Sequence, residues 1–448
     1  MIKIYNSLTK KIEDFIPIKE NEVSMYVCGP TVYDSMHIGN SRPVIFFDTV
    51  ARFFRYLGYK VNYVSNYTDI DDKIIARALN ENIAEDEVST KYIAEISATI
   101  KNLNCLPYNH TPRVTETIPE IIAFIGQIID CGNAYVVDGD VYFDIERIKD
   151  YGILSGQTVE NLKSGARINE NEKKKNPLDF NLWKKTTQGR RWPSPWSEGR
   201  PGWHTECVVM INDIFKGKID IHGGGNDLKF PHHDNEIAQS VCLYNHMIAN
   251  YWMHNGMIDF SGEKMSKSLG NFVRAQDLLD EISYPVYRLM ILNVPYRQPL
   301  AFREDILQQA KNDYQKIYRS YLGISRALEL SEQNIKAVSS PEIEQLREDF
   351  ISAMNNDFNT ANALTVIHAL VKAGNGLVRG GVNQLGYMKR ILELMQEMLW
   401  VFGIEIEVMP LTADDKKTVK KYYEAKAEKN YRLSDELRDI IIAKGIVL

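Results

Sequence analysis

VSMYVCGPTVYDSMHIGNSRPVIFFDTVARFFRYLGYKVNYVS, residues 23–65, is the stretch that decides the fold. Val23 to Cys28 is an apolar run broken by Gly29-Pro30 and reads as a strand. Val44, Phe47, Val50, Ala51, Phe54 and Leu57 then recur on one helical face, up to a stop near Gly58. Lys60 to Ser65, rich in Val and Tyr, reads as a second strand. Strand, loop, helix, strand is the βαβ unit of a parallel sheet.

Residues from about Asp71 to Ile129 read as mostly helical, and Tyr135 to Phe143 alternates like strands. From Ser164 to Pro201 no period is sustained, and the stretch reads as an insertion or surface arm. Sheet-like signals resume near Cys207 and at Ile219-Asp220-Ile221-His222, followed by Gly223-Gly224-Gly225. The parallel sheet is therefore expected to be split by an intervening block. After about Phe302, Ile306, Leu307, Ala310, Tyr314, Ile317, Tyr318 and Tyr321 fall at helical spacing, as do Met388, Ile391, Leu392, Met395, Met398 and Leu399. The fold class is α/β: a Rossmann-type parallel-sheet catalytic domain split by an insertion, then a helical bundle and a small C-terminal domain.

At 448 residues the chain has room for about three domains. It holds 44 % hydrophobic and 25 % charged residues, an ordinary globular mixture. No window approaches the roughly 18 apolar residues of a membrane span, and Met1-Ile2-Lys3-Ile4-Tyr5-Asn6 lacks a secretory core. Cys28, Cys105, Cys131, Cys207 and Cys242 form no C-x-x-C pair, which suits a reducing compartment. The expectation is a soluble cytoplasmic protein with no membrane partner, and the N-x-T matches at Asn66 and Asn109 are then chance. A net charge of −6 argues against indiscriminate nucleic-acid coating but leaves room for a local basic footprint. Lys173 to Arg200 carries eight Lys and Arg against two acids, with Phe180, Trp183, Trp192 and Trp196 interleaved. That mixture fits phosphate contact and base stacking, and equally an arm whose tryptophans pack on a sheet.

Two short runs carry the chemistry. His37-Ile38-Gly39-Asn40 opens the first crossover helix, where the positive end of the helix dipole favours phosphate; Gly39 admits a close backbone, and His37 and Asn40 supply donors. Lys264-Met265-Ser266-Lys267-Ser268 follows the second half of the sheet, and its two lysines suit charge developing on a leaving pyrophosphate. Either run alone is weak. In this order they resemble the signatures of class I aminoacyl-tRNA synthetases.

Longer runs narrow the resemblance. These are Val27-Cys28-Gly29-Pro30-Thr31-Val32-Tyr33-Asp34, Tyr67-Thr68-Asp69-Ile70-Asp71-Asp72-Lys73, Asp140-Val141-Tyr142-Phe143, Gly202-Trp203-His204-Thr205-Glu206-Cys207, His222-Gly223-Gly224-Gly225-Asn226-Asp227, Phe230 to Gln239, and Met354 to Thr360. Through nearly the whole chain the sequence is similar to the cysteinyl-tRNA synthetases.

That resemblance implies a ligase that activates L-cysteine with ATP to cysteinyl-adenylate and passes it to the 3'-terminal ribose of tRNA(Cys). It implies one zinc ion on Cys28, Cys207, His232 and Glu236, and Mg²⁺ with the ATP. Only His232 and Glu236, at i and i+4, have a local logic, and His233 or Asp234 stays open as a replacement. Zinc bonds a thiolate at about 2.3 Å and a hydroxyl poorly, which separates cysteine from serine better than the 1–3 kcal/mol per methylene of an apolar pocket. Four protein ligands plus a substrate thiolate make five, so whether Glu236 binds directly stays open.

The resemblance assigns His37, Asn40, Lys264 and Lys267 to catalysis. ATP falls to Thr31, His37, Gly39, Asn40, His222, Gly223, Asp227 and Lys267, and cysteine to Gly29, Thr68 and Trp203. It divides the chain into 1–115 and 202–262 as the two halves of the catalytic domain, 116–201 as the connective insertion, and 263–320 as the KMSKS loop and stem-contact helices. Residues 321–405 become a helical bundle on the anticodon side and 406–448 a small C-terminal anticodon-binding piece. A monomer is expected.

Three departures stand out. Asn40 replaces the second His of the best-known motif but still donates. Pro295-Tyr296-Arg297 stands where many members have a His, with no functional reading. The run to Gly445-Ile446-Val447-Leu448 stops short of an acidic residue, a Pro-Gly turn and a Trp usual in the family, and weaker anticodon contact is expected. Two rivals remain. A ligase joining cysteine to an amino-sugar would not need the helical module, and a non-catalytic RNA-binding relative would not need His37, Lys264 and Lys267.

Overall fold

A computed structural model describes residues 1–157, 173–260, 263–264, 273–331, 333–380, 384–444 and 446. Four parallel strands form the central sheet, in the order Ala249–Asn255, Ile219–Gly225, Glu22–Val27, Lys60–Ser65. Val23 lies opposite Val61, Tyr26 opposite His222, and Gly224 opposite His254. The expected crossover helix is Ile38–Tyr56, and Ile45, Phe46, Phe47, Val50, Phe53 and Phe54 are buried along it. It also buries charge: Arg52 pairs with Asp48 at 2.8 Å, and Arg42 donates to the carbonyls of Gly256 and Met257. Buried charges persist when each is paired or hydrogen-bonded, as these are.

Between the second and third strands of the sequence lie the helices Asp72–Glu81, Glu85–Asn102 and Ile118–Asp130 and a five-stranded antiparallel sheet. That sheet begins with a hairpin, Ala134–Val137 and Asp140–Phe143, turned at Asp138-Gly139, both with positive φ as such tight turns require. Its third strand is Phe180–Lys185, followed by Trp192–Pro193 and Glu198–Pro201. The expectation of an aperiodic surface arm is thereby corrected for residues 180–201. Leu182 and Trp183 are fully buried in the same core as Val141 and Phe143, so Trp183 is a packing residue and offers no stacking face. Strands this short, cut by Pro193 and Pro201, leave no period to read.

A second correction concerns Cys207. The run Glu206–Phe215 is a helix whose residues from Glu206 to Ile211 are all buried. A short, wholly buried apolar run looks alike as helix or strand.

The chain divides into two units, Met1–Ile282 with Tyr296–Phe302, and Ser283–Pro295 with Arg303–Leu448. The second unit is helical: Tyr284–Leu292, Glu304–Leu330, Pro341–Asn355, Thr360–Gly380, Leu385–Val401, Ala413–Ala427 and Tyr431–Ala443. Of the periodic residues, Leu307, Ala310, Ile317 and Tyr321 are buried on the long helix, and Met388, Ile391, Met395, Met398 and Leu399 on Leu385–Val401. Among the described residues no helix is long and apolar enough to cross a membrane.

Candidate active site and metal centre

Strand order reverses about Glu22–Val27, which has Lys60–Ser65 on one side and Ile219–Gly225 on the other. The loops leaving such a switch point diverge, and a ligand crevice forms at the carboxyl ends of the strands. A cleft of about 380 Å³ lies there, lined among others by Cys28, Gly29, Thr31, His37, Gly39, Asn40, Trp203 and Asp227. Gly29 is required: a Cβ would stand 1.7 Å from the Asn66 carbonyl oxygen, and its N–H donates to Asn66 Oδ1 at 2.9 Å.

His37 caps the helix Ile38–Tyr56. Its Nδ1 accepts from the Gly39 N–H at 3.1 Å, so the neutral ring carries its proton on Nε2. The first-turn amides are already engaged, Asn40 and Ser41 with the His37 carbonyl and Ile38 with Val273. The helix therefore presents its dipole and side chains to the cleft. The Ile38 N–H donates to Val273 O at 3.0 Å and the Ala275 N–H to Met36 O at 2.8 Å. Lys264 ends a short strand, Glu263–Lys264, whose partner Ile258–Phe260 starts at a cleft-lining residue. Lys267 lies outside the described residues. The chain on either side of residues 265–272 thus meets the cleft or the His37 loop.

Not every expected contact is in the cleft. Thr68 is buried, and its main chain pairs with Pro30 and Val32, bracing the loop that carries Thr31. His222 and Gly223 are buried; the Phe47 ring comes within 2.3 Å of a Cβ built on Gly223, so helix packing explains that glycine.

Beneath the cleft the four expected metal ligands meet. Cys28 Sγ lies 3.8 Å from Cys207 Sγ and 3.7 Å from Glu236 Oε1; Cys207 Sγ is 3.7 Å from His232 Nε2. Tetrahedral zinc with bonds of about 2.0–2.3 Å spaces its ligand atoms by about 3.3–3.8 Å, so these edges fit. The His232 Nε2–Glu236 Oε1 edge, at 2.8 Å, is shorter and is a hydrogen bond. A second set, Cys28, His222, His233 and Glu236, overlaps the first. His233 Nε2 is 3.3 Å from Cys28 Sγ, so it stays near the ligands, whereas Asp234 accepts from the N–H groups of Leu154 and Ser155 and belongs to neither set.

The cluster's charges hold one another. Burial works against the Glu236 carboxylate, but His222 and His232 outweigh it and hold its pKa well below the usual range. Burial likewise opposes a charged His232, and Glu236 overrides it. Contact with Cys28 brings the Cys207 thiol down to about 6, and burial pushes Cys28 up. A site carrying thiols, imidazoles and one carboxylate in mutual contact is a soft N/S donor set.

Of the groups around the cluster and cleft, His254 and Ser7 fall in no motif, whereas Tyr33, Lys73 and His204 lie in the family runs with no role assigned and His233 is there only as a replacement ligand. His233 Nδ1 is 2.8 Å from His254 Nε2, and His254 Nδ1 is 2.9 Å from Ser7 Oγ. His204 Nδ1 is 3.1 Å from His232 Nδ1. Tyr33 and Lys73 line the cleft, with the lysine 5.1 Å from the ring centre. His254 is reached only through the strand register that sets it opposite Gly224.

The family of tRNA synthetases class I (C) catalytic domains matches residues 14–312, and the DALR domain family matches residues 349–407. The chain is 44 % identical over 447 residues to the cysteine–tRNA ligase of Acholeplasma laidlawii, covering 100 % of both. It is 44 % identical over 454 residues to that of Brevibacillus brevis, covering 100 % of this chain and 97 % of the relative. Among solved structures, Mycobacterium tuberculosis methionyl-tRNA synthetase bound by methionyl-adenylate aligns with a TM-score of 0.63 at 13 % identity, over 89 % of this chain and 93 % of that one. At that identity the likeness is one of fold.

Proposed function

The chain belongs to the cysteine–tRNA ligase family of class I tRNA synthetases, and from that membership we propose that it makes cysteinyl-adenylate from L-cysteine and ATP and transfers the cysteinyl group to tRNA(Cys), as a cytoplasmic monomer. One observation carries the reading: the cleft that holds His37 and Asn40 is floored by Cys28, a member of the Cys28, Cys207, His232, Glu236 cluster.

Those four residues would hold a zinc ion, which when bound supplies a soft Lewis acid that captures a thiolate and so selects cysteine over serine. Gly29 and Trp203 border the amino acid, and Thr68 fixes the loop beside it. ATP enters with Mg²⁺ along Thr31, the His37–Asn40 loop and Asp227, the last as a ribose-hydroxyl acceptor.

In the first step a cysteine carboxylate oxygen attacks the α-phosphorus and pyrophosphate leaves. His37 and Asn40 donate to the phosphates while Lys264 and Lys267 offset charge on the pentavalent phosphorus and the leaving group. No protein nucleophile takes part. In the second step a terminal ribose hydroxyl attacks the adenylate carbonyl, the bond to the phosphate oxygen breaks, and the proton leaves with AMP. His222 does not reach the nucleotide in this scheme; it positions Glu236.

The helical unit supports an RNA partner. A cavity of about 1180 Å³ there is lined by Arg319, Lys372 and Arg379, none of which has an acidic partner among the described residues. Unpaired cations along a groove suit a phosphate backbone.

The test is cysteine-dependent ATP–pyrophosphate exchange in zinc-replete enzyme, with serine as control, followed by charging of total tRNA. Exchange with cysteine and charging is the expected result. Exchange without charging favours an amino-sugar acceptor, and no exchange overturns the catalytic scheme.

A further inference from the structure

Asn255 ends the strand Ala249–Asn255 at the carboxyl edge of the central sheet, opposite Gly225, and lines the cleft that holds His37, Asn40 and Asp227. It is only 3 % exposed. Its Nδ2 donates to the Gly256 carbonyl at 3.0 Å, which fixes the amide, since turning it over would set Oδ1 against that oxygen. Oδ1 is buried and has no hydrogen-bond partner among the described residues. Buried polar atoms are nearly always paired, so an unpaired acceptor on the wall of a cleft calls for a donor from outside the chain.

The main chain beside it is already engaged. The Gly256 N–H donates to Tyr296 O at 2.7 Å, and the Leu300 N–H donates to Met257 O at 2.9 Å. Arg42, buried on the helix Ile38–Tyr56, donates to the Gly256 and Met257 carbonyls at 2.8 and 2.9 Å. Each of those oxygens thus accepts from two donors, one for each lone pair, and has none left for a ligand. The Asn255 side chain supplies the acceptor that they cannot. Pro43, Val44, Met257 and Ile258 line the same cleft and give it an apolar wall suited to a flat ring.

We propose that Asn255 reads the base of the nucleotide: its Oδ1 accepts a hydrogen bond from the exocyclic amine of an adenine lying along that apolar wall. The inference rests on the function proposed above and adds what selects ATP among purine nucleotides. Asp227 takes the ribose in that scheme, and Asn255 lies across the sheet from Gly225, two residues before Asp227, so both acceptors serve one nucleoside. A purine carrying oxygen in place of the amine would set one acceptor against another, and a purine carrying hydrogen there would bring no donor. Sites built to hydrogen-bond a substrate group reject analogues lacking it, because the buried partner is left unpaired.

Cysteine-dependent pyrophosphate exchange in the full-length, zinc-loaded enzyme tests this with two nucleotides, ATP and purine riboside triphosphate, which lacks the amine. The wild type should use ATP about tenfold better in kcat/KM, chiefly through KM. Asn255→Ala should lose about tenfold on ATP and stay within about twofold of the wild type on purine riboside triphosphate, where there is no bond to lose. A residue that only shaped the cleft would carry the same penalty on both nucleotides, and that result overturns the proposal. So does an Asn255→Ala enzyme with wild-type use of ATP. If Asn255→Ala does not fold, the wild type alone decides: equal use of the two nucleotides overturns the proposal. A wild type without cysteine-dependent exchange on ATP instead overturns the underlying function.

Discussion

His222 Nε2 lies 2.6 Å from Oε2 of Glu236, and both side chains are wholly buried. The other oxygen, Oε1, faces Cys28 and His232, so His222 fixes which carboxylate oxygen the cluster meets. Groups that orient a metal ligand from behind are commonly worth 10–100-fold in affinity. His222→Ala is expected to weaken zinc by about that factor, read by competition with a chelator of known affinity. Unchanged affinity would show that Glu236 is held by packing alone.

Metal removal should do more than stop catalysis. Zinc at 100 times its dissociation constant stabilises the folded state by about 2.7 kcal/mol. Chelation should therefore lower the melting temperature by several degrees and abolish cysteine-dependent exchange, and zinc should restore both. Cys207→Ser should show the lower melting temperature with or without the chelator. A melting temperature indifferent to chelation would dissociate the cluster from metal binding.

Lys267→Ala should slow adenylate formation by two or more orders of magnitude while tRNA binding stays nearly unchanged, because the role proposed for its charge is confined to the departure of pyrophosphate. Quench-flow formation of the adenylate and filter binding of tRNA separate the two. Loss of both together would indicate misfolding and remove the assigned role.

Replacing Arg319, Lys372 and Arg379 together by Ala should weaken tRNA binding and flatten its dependence on salt concentration by roughly 2–3 in log–log slope. Exchange without tRNA should be unaffected. An unchanged slope would place the RNA elsewhere on the helical unit.

Arg390 and Ser339 hold the Glu344 carboxyl down to about 2, Arg390 by hydrogen bonds of 2.8 and 3.0 Å. Its folded-state pKa is depressed, so the stability it adds is present above the ordinary carboxylate value and is lost as pH falls toward 2. The pair is partly exposed, which limits the contribution to less than about 1 kcal/mol. Glu344→Gln should thus melt slightly below the wild type at pH 6, with the gap closing as pH falls from the ordinary value of 4.5 toward about 2. A gap that stays constant would contradict this.

Residues 23–65 announced their strand, helix and strand because each follows a period readable within its own length, and the observed elements agree within a residue or two at each strand. The helices Glu304–Leu330 and Leu385–Val401 were legible for the same reason. Where apolar runs were short or cut by proline, at Glu206–Phe215 and Phe180–Lys185, local pattern failed and burial decided.

The candidate site divides along the same line. His37-Ile38-Gly39-Asn40 and the long family motifs are contiguous, so the family and the candidate residues were legible in the sequence alone. Which atoms meet was decided by the tertiary structure. Cys28 and Glu236, 208 positions apart, touch because one strand's end and one helix's first turn are brought together. The same packing recruits His254 and Ser7 and withdraws His222 from the cleft to hold Glu236. Spacing along a chain records only local periods, whereas strand register and helix packing set distances between residues that no local period connects.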